Sequence, residues 1–388
     1  MSLNHNNRED GKMKKPVSRS RSGLSLFEIL AAMFVLMVGL LGVLAVLPFG
    51  IYQMNRVNKA DFGGNCGRAA IQEIRIRNWA DDFEDSLYDP YDSTNPDRVY
   101  NRTDDKLHCD KPIIVDPLLL AQYLNDPNFN TLQTYPVNSA YPVNSGGNGL
   151  PRVMSQFPGM KDANGVIIQT PSTWGAQTLN QVNDAFYWKD DRNFAAPASP
   201  NVQNPRPVGV TGASGIQSHE NYSWLYMLTP QVRCPLDASG CASEENIIGY
   251  DVDVVVFFKR NVDLNTLHKT ERSVIAVQQG AGGYRGGSFI LYASDNSTSG
   301  QELSAVEALE LPDTRWLLLS DSAANGTLFA KWYRIVNSGE IEPSNDTTLG
   351  SSMRRIMLLG PDIPGDVTIS NATLIQGAIH VYSTVIKK

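Results

Sequence analysis

The sequence predicts an α+β fold in which one long N-terminal helix packs on a largely antiparallel β-sheet, with a large irregular insertion between them. Two observations predict it. An apolar run near the N-terminus is long enough for a membrane-crossing helix, and strand patterns follow one another through the C-terminal part without helical patterns between them. We expect a transmembrane helix at 24–52, a helical extension at 53–80, an irregular insertion at 81–219 and the β-sheet domain at 220–388.

The composition disfavours nucleic acid as a partner. The chain has 388 residues, with 33 Lys and Arg against 40 Asp and Glu, which gives a formal net charge of -7. Beyond residue 60 the basic side chains are scattered among acidic ones, so no basic stripe is available for a phosphate backbone. The length is ample for a sizeable hydrophobic core.

The N-terminal segment is basic, whereas the whole chain is acidic. No acidic residue follows Asp10 before the apolar run, and the basic residues there are Lys12, Lys14, Lys15, Arg19 and Arg21. This asymmetry predicts a cytoplasmic N-terminus and a body on the other side of the membrane. Met1 and Met13 are both compatible with a start codon.

The apolar run contains one ionisable side chain before Tyr52, the carboxylate of Glu28. A cleaved secretory signal has a shorter apolar region and a small-residue cleavage site, and neither feature is present. A plain signal anchor fits the length but gives no reason for the carboxylate, which costs about 2.5–3.5 kcal/mol inside a membrane helix. Cleavage after Gly23 would create an α-amino group on Leu24, four residues from Glu28 on the same helix face.

The residues around this position resemble the type IV prepilin cleavage and methylation motif. They are Arg21, Ser22, Gly23, Leu24, Ser25, Leu26, Phe27, Glu28, Ile29 and Leu30. The resemblance implies that 1–23 is a leader peptide, that a membrane peptidase cuts between Gly23 and Leu24, and that Leu24 becomes the N-methylated terminus. It also implies that Glu28 sets the register between subunits.

Two features depart from the family pattern. Leu24 stands where Phe or Met is commoner, and Pro48 lies a few residues later than the proline that commonly kinks pilin helices. We therefore expect the kink at Pro48, near the outer face of the membrane.

The resemblance implies a non-catalytic subunit of a type IV pilus or type II secretion filament, of the minor pilin or pseudopilin kind. Its partners would be the prepilin peptidase and methyltransferase, other pilin-like subunits and membrane lipid. It would reside in the bacterial cytoplasmic membrane as a single-pass protein with its body in the periplasm or outside, or in a pilus. The alternative is a single-pass envelope protein whose β domain binds a ligand or polysaccharide without polymerising.

The chain after Tyr52 keeps apolar residues at helical spacing to about Trp79, and Gly63 and Gly64 predict a loosening of this helix. In the β domain, Val252, Val254 and Val256 alternate with polar residues, which predicts a half-buried strand. The predicted strands are 222–228, 247–258, 273–277, 288–292, 316–319, 329–336, 354–359 and 372–386.

No constellation of residues in the sequence predicts an enzyme. The five histidines lack metal-ligand spacing, and Gly212 to Gly215 is one residue short of a nucleophile elbow. No metal site is expected. The acidic residues Asp89, Asp92 and Asp97 favour a solvated loop over a Ca²⁺ site, because their spacing fits no EF-hand.

The four cysteines form no C-x-x-C pair. Outside the cytoplasm, Cys234 and Cys241 could close a short disulfide-bonded loop, and two free thiols are the other interpretation. We expect Cys66 and Cys109 to be unpaired.

Overall fold

The structure is a computed structural model that describes most of the helix and of the β domain. The described residues are 26–77, 79, 112–122, 134–136, 149–153, 182, 185–187, 192–193, 217–218, 221–232, 247–283, 286–294, 303–311, 316–322, 328–346, 348–363, 367 and 369–387. The chain divides into two compact units after Val57. Gly23, Leu24, Cys109, Cys234 and Cys241 lie outside the described residues, as do the acidic stretch and the segment around Ser214.

Helix α1 runs over Leu26–Ile76 and is continuous for 51 residues. It contains Pro48 and does not end there, and it also continues through Gly63 and Gly64. The predicted loosening at the two glycines is therefore wrong. A side chain at Gly63 would collide with the last strand of the fold, as described below.

Fourteen strands and three short helices follow α1 among the described residues. The strands are β1 (Ile113–Val115), β2 (Thr134–Tyr135), β3 (Leu150–Val153), β4 (Arg192–Asn193), β5 (Gln217–Ser218), β6 (Tyr222–Val232), β7 (Ile247–Phe258), β8 (Glu271–Gly283), β9 (Gly286–Ala293), β10 (Trp316–Ser322), β11 (Leu328–Pro343), β12 (Ser352–Leu359), β13 (Asn371–Ile375) and β14 (Ala378–Lys387). The helices are α2 (Pro117–Gln122), α3 (Leu264–Thr270) and α4 (Ala305–Leu309).

The first sheet has six strands in the order β14-β7-β6-β1-β3-β2. All its pairs are antiparallel except β1 with β3, which is parallel. Strands β1, β2 and β3 belong to the stretch predicted to be irregular, so that stretch contributes to the sheet. The predicted strand 372–386 is two strands, because Gly377 turns the chain between β13 and β14 with a φ of 84°.

The remaining long strands close into a six-stranded barrel in the order β10-β11-β12-β9-β8-β13. All its described pairings are antiparallel. The fold is thus α+β with mostly antiparallel strands, but the strands form a sheet and a barrel where we expected one sheet. Strand β13 closes the barrel by pairing with both β8 and β10.

Each face of the sheet has its own core. Val252, Val254 and Val256 of β7 are buried on the face that packs on α1. Val255 and Phe257 of the same strand are buried on the opposite face, together with barrel residues that include Leu318 and Trp332. The prediction of a half-buried strand is therefore wrong, because the barrel covers the face that was expected to meet water. A third core fills the barrel interior.

Candidate membrane and assembly segment

The part of α1 from Leu26 to Ile51 is apolar on all sides except at Glu28. Its large hydrophobic side chains are exposed from Leu26 to Val57, and no long stretch of it is buried in the protein. A helix that is apolar all round is typical of a membrane span or of a buried core helix. This helix is long and apolar enough to cross a membrane. Among the described residues it is the only helix with these properties.

Glu28 lies in the first turn of α1 and is exposed. A carboxylate in this position interacts favourably with the partial positive charge at a helix N-terminus. Apart from Glu28, no side chain of the helix from Leu26 to Ile51 is ionisable. Glu28 is therefore placed near the start of the apolar surface, where the sequence predicted a register-setting charge, and Leu24 lies outside the described residues.

Three glycines of the apolar part leave open space beside the helix. A Cβ atom built on Gly39, Gly42 or Gly50 would meet nothing within 4 Å. No contact inside the described chain therefore requires glycine at these positions. Small residues on a membrane helix are typical of surfaces where another helix packs closely.

The part of α1 from Asn58 onward is built into the β domain. Cys66, Ala70 and Ile74 are buried against the valines of β7 and neighbouring residues of the sheet. Gly63 faces β14 so closely that a Cβ atom there would lie 2.5 Å from Cδ1 of Ile379. A Cβ atom on Gly67 would lie 2.3 Å from two ring carbons of Tyr382.

One polar contact joins the same part of the helix to the sheet, and a second lies within the chain at the end of the helix. The Arg75 guanidinium donates to Oγ1 of Thr384 in β14 over 3.0 Å. Arg77 forms an exposed ion pair with Glu73 one turn earlier, with Nε and Oε2 2.6 Å apart. Exposed pairs of this kind contribute little stability, so the apolar contacts dominate the attachment of the helix.

Cys66 is a free thiol within this buried surface. Burial raises the pKa of the Cys66 thiol to about 12, so the group is protonated at neutral pH. A protonated, buried thiol is a poor nucleophile and metal ligand. Cys66 therefore acts as a small apolar residue at the contact between helix and sheet. It forms no disulfide, as the sequence predicted.

A cluster of four buried charges is the second place where polar chemistry concentrates. Asp116 follows β1, Arg152 lies in β3, Arg260 follows β7 and Glu271 begins β8. Arg260 donates from Nη1 to Oδ1 of Asp116 over 2.7 Å, and it also forms an ion pair with Oδ2 of Asp116. Arg152 forms an ion pair with Glu271.

Two longer contacts complete the cluster. Arg152 Nε lies 3.6 Å from Oδ2 of Asp116, and Arg260 Nη2 lies 3.6 Å from Oε1 of Glu271. Each arginine thus contacts both carboxylates, and the two positive charges balance the two negative ones. The side chains are all at most 4% exposed.

The electrostatics of the cluster hold the carboxylate of Asp116 in the ionised form. Burial by itself would raise the pKa of Asp116, but attraction to Arg260 and Arg152 and the hydrogen bond from Arg260 lower it below its usual range. Burial and the negative charge of Glu271 raise the pKa of the Tyr135 hydroxyl. A carboxylate held by two guanidinium groups is a weak base, so the cluster is suited to joining the sheet to the barrel and not to catalysis.

Sequence reasoning did not find this cluster. Its four residues are spread over more than 150 positions of the chain, and none belongs to a recognisable motif. The sequence offers only a weak signal for the cluster: Asp116 follows directly on an apolar strand pattern, and Arg260 follows one after Lys259.

No group of three potential metal ligands lies together in the part of the chain that the structure describes. The expected absence of a metal site stays a prediction, because the acidic stretch that could have bound Ca²⁺ is not described. The possible Cys234–Cys241 disulfide is likewise a prediction.

Comparisons with known proteins give no family for this chain. No family model matches it, and no curated protein matches it. Among solved structures, a crystal structure of the Ad16 fiber knob is 12% identical, with 52% of this chain and 98% of the knob covered and a TM-score of 0.10. A TM-score of this size carries no argument about fold or function.

Proposed function

We propose that this chain is a non-catalytic filament subunit of the minor pilin or pseudopilin kind, made as a membrane-anchored precursor. The observation that carries the proposal is the contrast along one continuous helix. From Leu26 to Ile51 the helix has an apolar, exposed surface interrupted by Glu28, whereas from Asn58 onward it is a structural part of the β domain. Such a helix can anchor the protein in a membrane and later pack on helices of other subunits while the β domain stays folded.

The proposed maturation begins with the basic N-terminus in the cytoplasm and the β domain outside. A prepilin peptidase cuts between Gly23 and Leu24, and the new terminus is N-methylated. Glu28 then accepts the positive charge of an α-amino group, its own or that of a neighbouring subunit. Because an isolated carboxylate costs several kcal/mol in an apolar medium, only arrangements that pair Glu28 with a positive charge are stable, which sets the register between subunits.

The size of the β domain favours a low-copy role in the filament, at its tip or at its start. The unit from Asn58 to the C-terminus contains both the sheet and the barrel. A body of this size is hard to repeat along a densely packed fibre. The machine would be a type IV pilus or a type II secretion system.

Substitution of Glu28 by alanine tests the assembly step. We expect Glu28→Ala to insert in the membrane at the normal level but to lose co-purification with other pilin-like chains after mild cross-linking. The matched control is Glu73→Ala, which removes an acid from the same helix outside the apolar segment and should leave co-purification unchanged. Normal co-purification of Glu28→Ala would overturn the register argument. A wild-type protein that is purely monomeric would instead favour the non-polymerising envelope protein.

A further inference from the structure

Two lysines from distant parts of the chain lie over one aromatic ring of the β domain. Lys59 belongs to α1, and Lys259 directly follows β7. The Nζ atom of Lys59 lies 4.4 Å from the centre of the Phe258 ring, and the Nζ atom of Lys259 lies 5.5 Å from the same point. The two ammonium groups are therefore within about 10 Å of each other, which is no more than a Debye length at moderate ionic strength, so their charges act together.

A row of aromatic rings holds the two lysines in this relative position. The ring of Phe62 in α1 lies 5.9 Å from the ring of Tyr222 in β6, and the Tyr222 ring lies 5.2 Å from that of Phe258. Tilted ring pairs at these distances attract each other. All of these residues belong to the same compact unit, so Lys59 and Lys259 are part of one packed surface.

The backbone at Lys259 has a conformation that residues with a side chain rarely adopt. Its φ of 51° lies in the left-handed region, and it is the one non-glycine residue with a positive φ among the described residues. Its N–H donates to the carbonyl of Asn221 over 2.6 Å, and the next residue, Arg260, is held by Asp116. Such strain persists only where the surrounding structure imposes it, and it is common at binding sites. Lys259 is thus fixed in place at the end of β7.

Neither lysine forms an ion pair with a residue that the structure describes, and both are exposed. Asp61 is close to Lys59 in sequence, but residues two apart on a helix do not face each other. Two like charges held over one ring repel each other, and an anion between them would remove that repulsion. The pair is therefore suited to an anion with several oxygen atoms, such as a phosphate group.

The membrane is the source of phosphate that the chain itself brings close to Lys59. The apolar part of α1 ends at Ile51, and Lys59 follows eight residues later in the same continuous helix. Eight helical residues span about 12 Å, and this distance is set by the helix itself. The headgroup layer on each side of a bilayer is about 5–7 Å thick, and a lysine side chain can extend towards it. A headgroup phosphate is thus within reach of Lys59 if α1 crosses the membrane.

We propose that Lys59 and Lys259 together bind the phosphate of an anionic phospholipid headgroup at the membrane surface from which α1 emerges. This inference rests on the proposed membrane anchoring of α1, but it depends neither on leader cleavage nor on filament assembly. Each lysine near an anionic surface strengthens binding by about five-fold. The contact would give the precursor a preference for anionic lipid around its anchor.

Acetylation of lysines in the full-length chain tests the proposal. The chain is reconstituted in bilayer discs of phosphatidylcholine, which is neutral overall, with or without about 30% of the anionic lipid phosphatidylglycerol. Peptide mass spectrometry measures the acetylation rate of each lysine. We expect Lys59 and Lys259 to react at least about five-fold more slowly in the anionic discs. The exposed Lys269 of α3 is the control and should react at the same rate in both.

Two further comparisons separate a shared phosphate site from a general attraction to the bilayer. In Lys59→Gln, Lys259 should lose most of its protection, because one phosphate is held by both lysines, whereas the matched control Lys269→Gln should leave that protection unchanged. Inorganic phosphate added to the neutral discs should protect neither lysine, since a free anion lacks the high local concentration of a bilayer surface.

Equal acetylation of Lys59 and Lys259 in the two kinds of disc would overturn the proposal, as would equal protection by inorganic phosphate. Protection in native membranes that is absent from the anionic discs would identify a protein partner and would also overturn it. Alkaline extraction of native membranes is carried out first. A chain that is extracted contradicts the membrane anchor and the lipid site together, whereas a chain that resists extraction and shows no protection contradicts the lipid site alone.

Discussion

Gly67 of the N-terminal helix lies directly against the ring of Tyr382 in the last strand. A Cβ atom on Gly67 would be 2.3 Å from Cδ2 and Cε2 of that ring, closer than side-chain carbons approach in folded proteins. Gly64, three residues earlier in the helix, is different, since a Cβ atom there would lie 3.4 Å from the Tyr382 hydroxyl, which is an ordinary contact. Substitution of Gly67 therefore tests close packing against the strand, whereas substitution of Gly64 tests only the general effect of glycine on helix stability.

We predict that Gly67→Ala lowers the free energy of unfolding by about 1–3 kcal/mol, because the methyl group overpacks the contact between helix and strand. Gly64→Ala is the control and should be neutral or stabilising by up to about 1 kcal/mol, since alanine favours a helix. Urea unfolding of the full chain in detergent micelles, followed by tryptophan fluorescence, measures both. Equal destabilisation by the two variants would contradict the packing argument.

The buried charge cluster gives a second prediction. Arg152→Met leaves Asp116 and Glu271 with Arg260 as their one shared cation, so an uncompensated negative charge stays buried. We expect a loss of about 3–5 kcal/mol in the free energy of unfolding, measured by the same urea titration.

Arg355→Met is the matched control for that experiment. Arg355 is an exposed arginine of β12, and surface changes of this kind usually alter stability by less than about 0.5 kcal/mol. A loss for Arg152→Met no larger than that of the control would show that the cluster does not join the sheet to the barrel.

Asp253 predicts a specific dependence of stability on pH. Burial raises the pKa of this carboxyl, although its hydrogen bond from Ser383 acts in the opposite direction. The folded protein therefore binds a proton more tightly than the unfolded chain, and Asp253 makes stability fall as pH rises from about 4 through its raised pKa.

The comparison of wild type with Asp253→Asn isolates this contribution. The amide keeps the size of the side chain and cannot ionise. The free energy of unfolding of the variant minus that of wild type should increase as pH rises from about 4 to 7. Below about pH 4 this difference should not change with pH. A difference independent of pH across this range would contradict the raised pKa.

Much of the β domain was predictable from local patterns. Strand β7 was predicted with its observed bounds, because its valines alternate with Asp251 and Asp253 over a long run. The barrel was not predictable, because its closure depends on β13 pairing with both β8 and β10, which are far away in sequence. The burial of Val255 and Phe257 followed from that closure and was missed for the same reason.

The glycines of α1 show a different limit of sequence reasoning. Gly63 and Gly64 indicated a weak point of the helix because glycine disfavours helices in general. Their actual environment is set by Ile379, His380 and Tyr382, more than 300 residues later. No local pattern reports that neighbourhood, whereas the apolar run that ends near Tyr52 is a local property and was recognised as a candidate membrane span.

Cys66 offers a test of how firmly the helix is held in the β domain. Because its pKa is raised to about 12 and the side chain is buried, we predict almost no alkylation by iodoacetamide at pH 8 in the folded protein. Denaturation in urea should make the thiol fully reactive. Peptide mass spectrometry of the Cys66 segment measures both states, and rapid labelling of the folded chain would show that this part of α1 detaches readily.

We propose that the chain is processed as a prepilin, and the mass of its N-terminal peptide from native membranes is the first measurement to make. We expect a mature chain that begins at Leu24 and carries one additional methyl group on its α-amino nitrogen. A chain that retains the residues through Gly23, in cells with an active prepilin peptidase, would contradict it. The proposed role of Glu28 in setting the register would then fail, and an anchored envelope protein would be the better description.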